Sequence, residues 1–146
     1  MNGSKRILLV EDNPNDVELS LAALDEFNLA SQVVVARNGA LALDYLFRRG
    51  DFANRPEGNP AVILLDLKMP KVDGLEVLAQ VKASEELKMV PVVMLTSSRE
   101  EQDLLESYKR GVNAYLVKPI DFQKFVEAVK QLGFFWAVLN EPPPTQ

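Results

Sequence analysis

Five short apolar runs, each closed by polar residues, divide this chain. They are Ile7–Val10 before Glu11 and Asp12, Val33–Val35 before Arg37 and Asn38, Ala61–Leu65 before Asp66, Val90–Leu95 before Thr96 and Ser97, and Ala114–Val117 before Lys118. Runs so short and so uniformly apolar read as strands buried on both faces, which a parallel sheet needs. Pro91 lies near the start of its run, where a missing N–H is tolerated. Between the runs the apolar spacing turns helical. Asn13 offers a cap and Pro14 a first helical position, and Val17, Leu21 and Leu24 carry the stripe, so the spacing predicts a helix from Pro14 to about Phe27. Asn38-Gly39 opens a second helix over Ala40–Arg49. Asp73-Gly74-Leu75-Glu76 resembles a capping box before the stripe Leu75, Leu78 and Val81. Ser98-Arg99-Glu100-Glu101 is another, opening a sparsely apolar and loosely held helix to Arg110 that Gly111 stops. Asp121 caps a last helix carrying Phe122, Phe125, Val126, Val129 and Leu132. Arg48–Pro60, with two glycines and two prolines, has no apolar period and reads as a long surface loop.

Five strands alternating with five helices predict an α/β protein, a doubly wound parallel sheet with helices on both faces. In such a sheet every strand's C-terminus lies on one edge, where open α/β sheets place their chemistry. Glu11, Asp12, Asp66, Thr96, Ser97 and Lys118 would therefore meet in one crevice. Crowded carboxylates raise one another's pKa unless a cation neutralises them. All-oxygen donors favour a hard cation such as Mg²⁺. A carboxylate can also attack a phosphoryl group and form an acyl phosphate, whose oxygens need an ammonium and a hydroxyl around them. The plainer readings are that Asp66 is a strand-ending turn residue and that Tyr115 packs in a half-buried strand. Lys71 and Asp73 read as loop solvation and a helix cap. Asp16 could approach a metal there, but reads first as compensation of a helix dipole.

Composition narrows the chemistry. The chain has 146 residues, enough for one domain with a stable core. Its 47% hydrophobic and 25% charged shares are ordinary for a globular protein. The net charge of -5 argues against nucleic acid as a partner. There is no cysteine and no histidine, which excludes disulfides, thiolate chemistry, Ser-His triads and any histidine phosphorelay within the chain. No signal-peptide core and no apolar run near the ~18 residues of a membrane span are present, so the expected location is the cytoplasm and no membrane partner is expected.

The set VEDN, LLDLKMPKVDG, MLTSS and YLVKP, in this order and spacing, strongly resembles the receiver domain of two-component response regulators, over residues 5 to about 132. The resemblance implies a flavodoxin-like receiver fold with strand order 2-1-3-4-5. It implies Asp66 as phosphoacceptor, Mg²⁺ held by Asp12, Asp66, the backbone carbonyl of Lys68 and, through water, Glu11, and phosphoryl oxygens bound by Thr96, Lys118 and the backbone N–H of Ser97. Tyr115 falls at the switch aromatic. Lys118-Pro119 is expected to be a cis peptide. Lys68 and Ser98 fall where dephosphorylation is tuned. Glu11 stands where many receivers have Asp, and is expected to alter the metal's surroundings rather than abolish binding. The phosphoryl donor, absent from a chain without histidine, would be a sensor histidine kinase. The output would be a changed surface around residues 98–118, offered to a downstream protein or phosphotransfer partner.

The long loop and the tail FFWAVLNEPPP resemble single-domain regulators paired with phytochrome kinases. The expected layout is a receiver over 1–133, a tail over 134–146 and no output domain. Three successive aromatics cannot all face one domain, so Phe134, Phe135, Trp136 and Leu139 are expected to form the arm of a homodimer. Two other readings compete. A haloacid-dehalogenase-type hydrolase would need a second Asp two residues after the nucleophile, where this chain has Lys68. A phosphorylation-independent binding module would not need the complete set of acids, hydroxyl and lysine.

Overall fold

The structure, a computed structural model, describes residues 6–27, 32–56, 58–67, 69, 72–96, 114–118, 121 and 123–127. The chain runs β1 (Ile7–Val10), α1 (Pro14–Leu24), β2 (Val33–Ala36), α2 (Gly39–Phe47), β3 (Val62–Asp66), α3 (Gly74–Ala83), β4 (Val92–Thr96) and β5 (Ala114–Val117). Residues 123–127 are helical again. The five strands form one sheet in the order β2-β1-β3-β4-β5, and every pairing is parallel. The doubly wound sheet expected of a receiver is thus the fold observed.

The period of two along each strand sorts side chains into two layers. Ile7, Leu9, Val62, Leu64, Val93, Leu95 and Leu116 pack with Val17 and Leu24 of α1 and with Phe125. Leu8, Val10, Ile63, Leu65, Val92 and Met94 pack with Leu43, Leu46, Val77, Leu78 and Val81 of α2 and α3. A strand covered on both faces must be apolar at every position, and β1, β3 and β4 are buried throughout.

Local chemistry sets the helix bounds. Asn13 caps α1 by accepting from the N–H groups of Asn15 and Asp16, and Pro14 occupies the first turn. The helix is shorter than its apolar spacing predicts. It tightens into a 3-10 turn over Asp25–Phe27, where two acids meet the negative end of the dipole. Asn38 caps α2. That helix stops at Phe47 rather than Arg49 because Arg48 turns left-handed, at φ 57. The N–H groups of Arg48 and Arg49 then fold back onto the carbonyls of Tyr45 and Asp44, a Schellman-type stop. Asp73 caps α3 through the Glu76 N–H, but the expected box is only half made, since the Glu76 carboxylate accepts from Gln80. β4 starts at Val92, two residues late, because the Val90 N–H closes a turn onto Leu87.

The Arg48–Pro60 segment departs furthest from expectation. It carries a 3-10 turn over Gly50–Phe52, and Phe52 sets its ring edge-on to Tyr45 with centroids 5.3 Å apart. Arg55 donates to the carbonyls of Tyr45 at 2.6 Å, Pro56 at 2.8 Å and Gly58 at 2.9 Å. Its guanidinium also lies 4.3 Å over the Tyr45 ring. One cation thus orders a segment that has no apolar repeat of its own.

Two glycines let α2 and α3 close on the crevice. A Cβ on Gly39 would fall 2.0 Å from the Val72 carbonyl oxygen, and one on Gly74 would fall 2.2 Å from that of Asp66.

Candidate functional site

The site is built from the positions just past the strand ends. Val10 pairs with Leu65 across β1 and β3, which sets Glu11 beside Asp66. Three ladder bonds hold the edge beyond the strands: Glu11 N–H to Ala36 O at 3.0 Å, Leu67 N–H to Leu95 O at 2.9 Å, and Lys118 N–H to Thr96 O at 2.7 Å. Asp66 is therefore not a turn residue that merely ends a run. It is the last residue of β3 and is only 4% exposed. Glu11 and Thr96 are fully buried.

Strand parity decides which way the chemistry faces. Glu11 continues the register of Ile7 and Leu9, Asp66 that of Val62 and Leu64, and Lys118 that of Leu116, all residues of the α1 layer. The Lys118 ammonium donates to Glu11 Oε1 at 3.2 Å and to Asp16 Oδ2 at 3.0 Å, and it pairs with Asp66 Oδ1 at 3.2 Å. Carboxylate oxygens of Glu11, Asp12 and Asp66 lie within 4.8 Å of one another. That donor set, oxygen only and crowded, fits a hard divalent cation.

The electrostatics follow from burial. Desolvation, reinforced by the Asp66 charge, pushes the Glu11 carboxyl up to about 7 against the opposing pull of Lys118. Burial likewise raises Asp66, and Lys118 offsets part of that rise. For Lys118, burial works to lower the pKa, but the Asp16 hydrogen bond and the charges of Asp66 and Glu11 outweigh it and raise it overall. The ammonium stays charged, and the buried acids depend on it.

The structure thus brings Glu11, Asp12, Asp66 and Lys118 together and sets Thr96 one residue beyond Leu95, the β4 partner of Asp66. Asp16 has a larger part than dipole compensation, because it takes the Lys118 ammonium. Its place next to the lysine could have been inferred from the parity of Lys118 and the phase of α1 taken together. Lys68, Ser97 and Pro119 lie outside the described residues, as do Ser98–Arg110 and the tail with Phe134, Phe135, Trp136 and Leu139. For Tyr115 only the backbone is described, paired with Met94 in the sheet.

Known proteins carry the same architecture. The bacteriophytochrome response regulator AtBRR superposes with a TM-score of 0.85 and is 64% identical, over 94% of this chain and 98% of its own. The probable methanogenesis regulatory protein FilR2 of Methanothrix harundinacea is 41% identical, over 94% of this chain and 86% of its own. Response regulator Rcp1 of Synechocystis sp. is 39% identical, over 92% of this chain and 90% of its own. The Mn²⁺-bound form of Rcp1 superposes with a TM-score of 0.71 at 37% identity, over 97% of this chain and 99% of its own. Residues 7–130 match the response regulator receiver domain. With a sheet of receiver order and an acid-and-lysine edge where receivers do their chemistry, this chain belongs to the response regulator receiver family, whose members are phosphoaccepting signalling proteins rather than enzymes.

Proposed function

We propose that Asp66 is the phosphoacceptor of this receiver. The observation that carries the reading is the Lys118 ammonium held against both Glu11 and Asp66 in a buried crevice. An Asp66 carboxylate oxygen attacks the phosphorus of a sensor kinase's phosphohistidine. The new O–P bond forms as the P–N bond breaks, and the imidazole leaves to be protonated by solvent. Lys118 and Thr96, with the Ser97 N–H, then face the phosphoryl oxygens. Glu11, Asp12, Asp66 and the Lys68 carbonyl would hold Mg²⁺, which supplies neutralising charge at that edge. The likeness to the bacteriophytochrome response regulator AtBRR supports a phytochrome-type histidine kinase as donor, and the exchange would take place in the cytoplasm. Thr96 and Tyr115 would pass the change to residues 98–118 and so to a downstream protein, and the tail from Phe134 would join two copies.

Phosphotransfer from a phosphorylated phytochrome-type kinase tests the reading. Hydroxylamine-labile label, as an acyl phosphate gives, should enter the wild type and be lost at least a hundredfold in Asp66→Asn, which stays folded because the amide is isosteric. Full labelling of Asp66→Asn, or hydroxylamine-resistant label on Ser or Thr, would overturn the assignment.

A further inference from the structure

Of the three carboxylates around the Lys118 ammonium among the described residues, Asp16 is the one to which the reading above gives no role. Its contact, at 3.0 Å, is also the shortest, against 3.2 Å to Glu11 and 3.2 Å to Asp66. An ammonium has three protons, and three carboxylates surround it. They are not equivalent. The side chains of Glu11 and Asp66 are 0% and 6% exposed, whereas that of Asp16 is 26% exposed and sits at the mouth of the crevice. Asp16 also lies outside the cluster of Glu11, Asp12 and Asp66 that could share a cation. Its position is fixed by the backbone, since Asn13 Oδ1 accepts from the Asp16 N–H at 3.2 Å and seats it in the first turn of α1.

We propose that Asp16 is a positioning residue that holds the Lys118 ammonium at the mouth of the crevice and so leaves Glu11 and Asp66 able to share their charge with a divalent cation. The inference rests on the reading of Glu11, Asp12 and Asp66 as cation ligands. Without the Asp16 carboxylate, the third N–H of Lys118 turns inward. Lysine and cation then compete for the same two buried acids. Asp16 also attracts a cation through space, but that attraction does not pass through Lys118, so the two effects can be separated.

Full-length protein is titrated with Mg²⁺ while the amide resonances of Asp12 and Asp66 are followed by NMR. Asp16→Asn should weaken Mg²⁺ binding at least fivefold, and Asp16→Glu should restore it to within twofold of wild type. In a Lys118→Met background, Asp16→Asn should change affinity by less than twofold, because the competitor is gone. An equal loss in both backgrounds overturns the proposal, leaving only through-space charge. A second measurement keeps Lys118 in place. On Mg²⁺ saturation, the Lys118 ¹³Cε resonance should move at least twice as far in Asp16→Asn as in wild type, and equal displacement overturns the proposal. A wild type that shows no Mg²⁺ shift at Asp12 or Asp66 overturns both this inference and the ligand reading beneath it.

Discussion

Lys118 is the residue on which the others depend. Its ammonium meets Glu11, Asp16 and Asp66 at 3.0 to 3.2 Å, and its side chain is 15% exposed. Removing one partner of a buried pair strands the other charge, at about 3–5 kcal/mol when no water reaches it. Here water enters at the Asp16 side, so Lys118→Ala should cost somewhat less, about 2–3 kcal/mol by urea unfolding in a chelating buffer. The phosphorylation-dependent NMR shift at Tyr115 should also be lost, because a charge-assisted contact to phosphate is gone. Unfolding at wild-type urea concentrations, or a wild-type shift at Tyr115, would remove Lys118 from this position. At this scale the sequence was informative about Glu11, Asp12, Asp66, Thr96 and Lys118, because each interrupts an apolar run at a strand's C-terminal end. It carried less about Asp16, which reads first as dipole compensation, because the contact with Lys118 emerges only when the phase of α1 is set against the parity of β5, elements far apart in the chain.

Among the described residues, the elements were legible wherever an apolar period existed. All five strands fall within two residues of the runs that announce them, and Asn13, Asn38 and Asp73 cap the helices they precede. The segment after α2 was not legible, because its order comes from a single guanidinium rather than from a repeat. Arg55 meets the last carbonyls of α2 and the carbonyls of its own loop. Burial lowers its pKa, without threatening the charge of a group that stays protonated throughout the accessible range. Net gains of about 1 kcal/mol for each of the three good hydrogen bonds, with a cation–π contact added, put the cost of Arg55→Ala at about 3–4 kcal/mol. Amides of residues 50–58 should exchange faster in that variant while phosphotransfer to Asp66 stays as in wild type. Arg55→Lys should not rescue, since an ammonium lacks the planar fork that reaches several carbonyls at once. Unchanged exchange in Arg55→Ala would mean that the loop is held by Phe52 and Tyr45 alone.

At the scale of the whole molecule, the proposal that Phe134, Phe135, Trp136 and Leu139 form a dimer arm makes a prediction about assembly. If it holds, full-length protein scatters light as a dimer and deletion of residues 134–146 gives monomers; a full-length protein already monomeric at ~100 μM, far above a Kd of ~10 μM, would end that idea. Charge makes a second demand. The chain carries a net charge of -5, and four of its carboxylates, Glu11, Asp12, Asp16 and Asp66, crowd one end of the sheet with one ammonium, Lys118, among the described residues there. With every one of these acids ionised, that lysine leaves three negative charges, and a divalent cation would leave one. A ligand that binds the folded chain and not the unfolded one stabilises it by mass action, about 1.4 kcal/mol at tenfold excess over its dissociation constant. For a domain near this size that is a rise in Tm of about 3 to 6 °C. Magnesium chloride should therefore raise Tm by that amount, whereas sodium chloride at equal ionic strength should raise it much less, since screening acts weakly on buried charges. EDTA should reverse the rise and stop phosphotransfer. Asp66→Asn gives the internal control: with one fewer carboxylate in the crevice, its Tm without Mg²⁺ should lie above that of wild type, and its response to Mg²⁺ should shrink. Equal responses to the two salts, or phosphotransfer that proceeds in EDTA, would show that the lysine alone carries the charge of this edge.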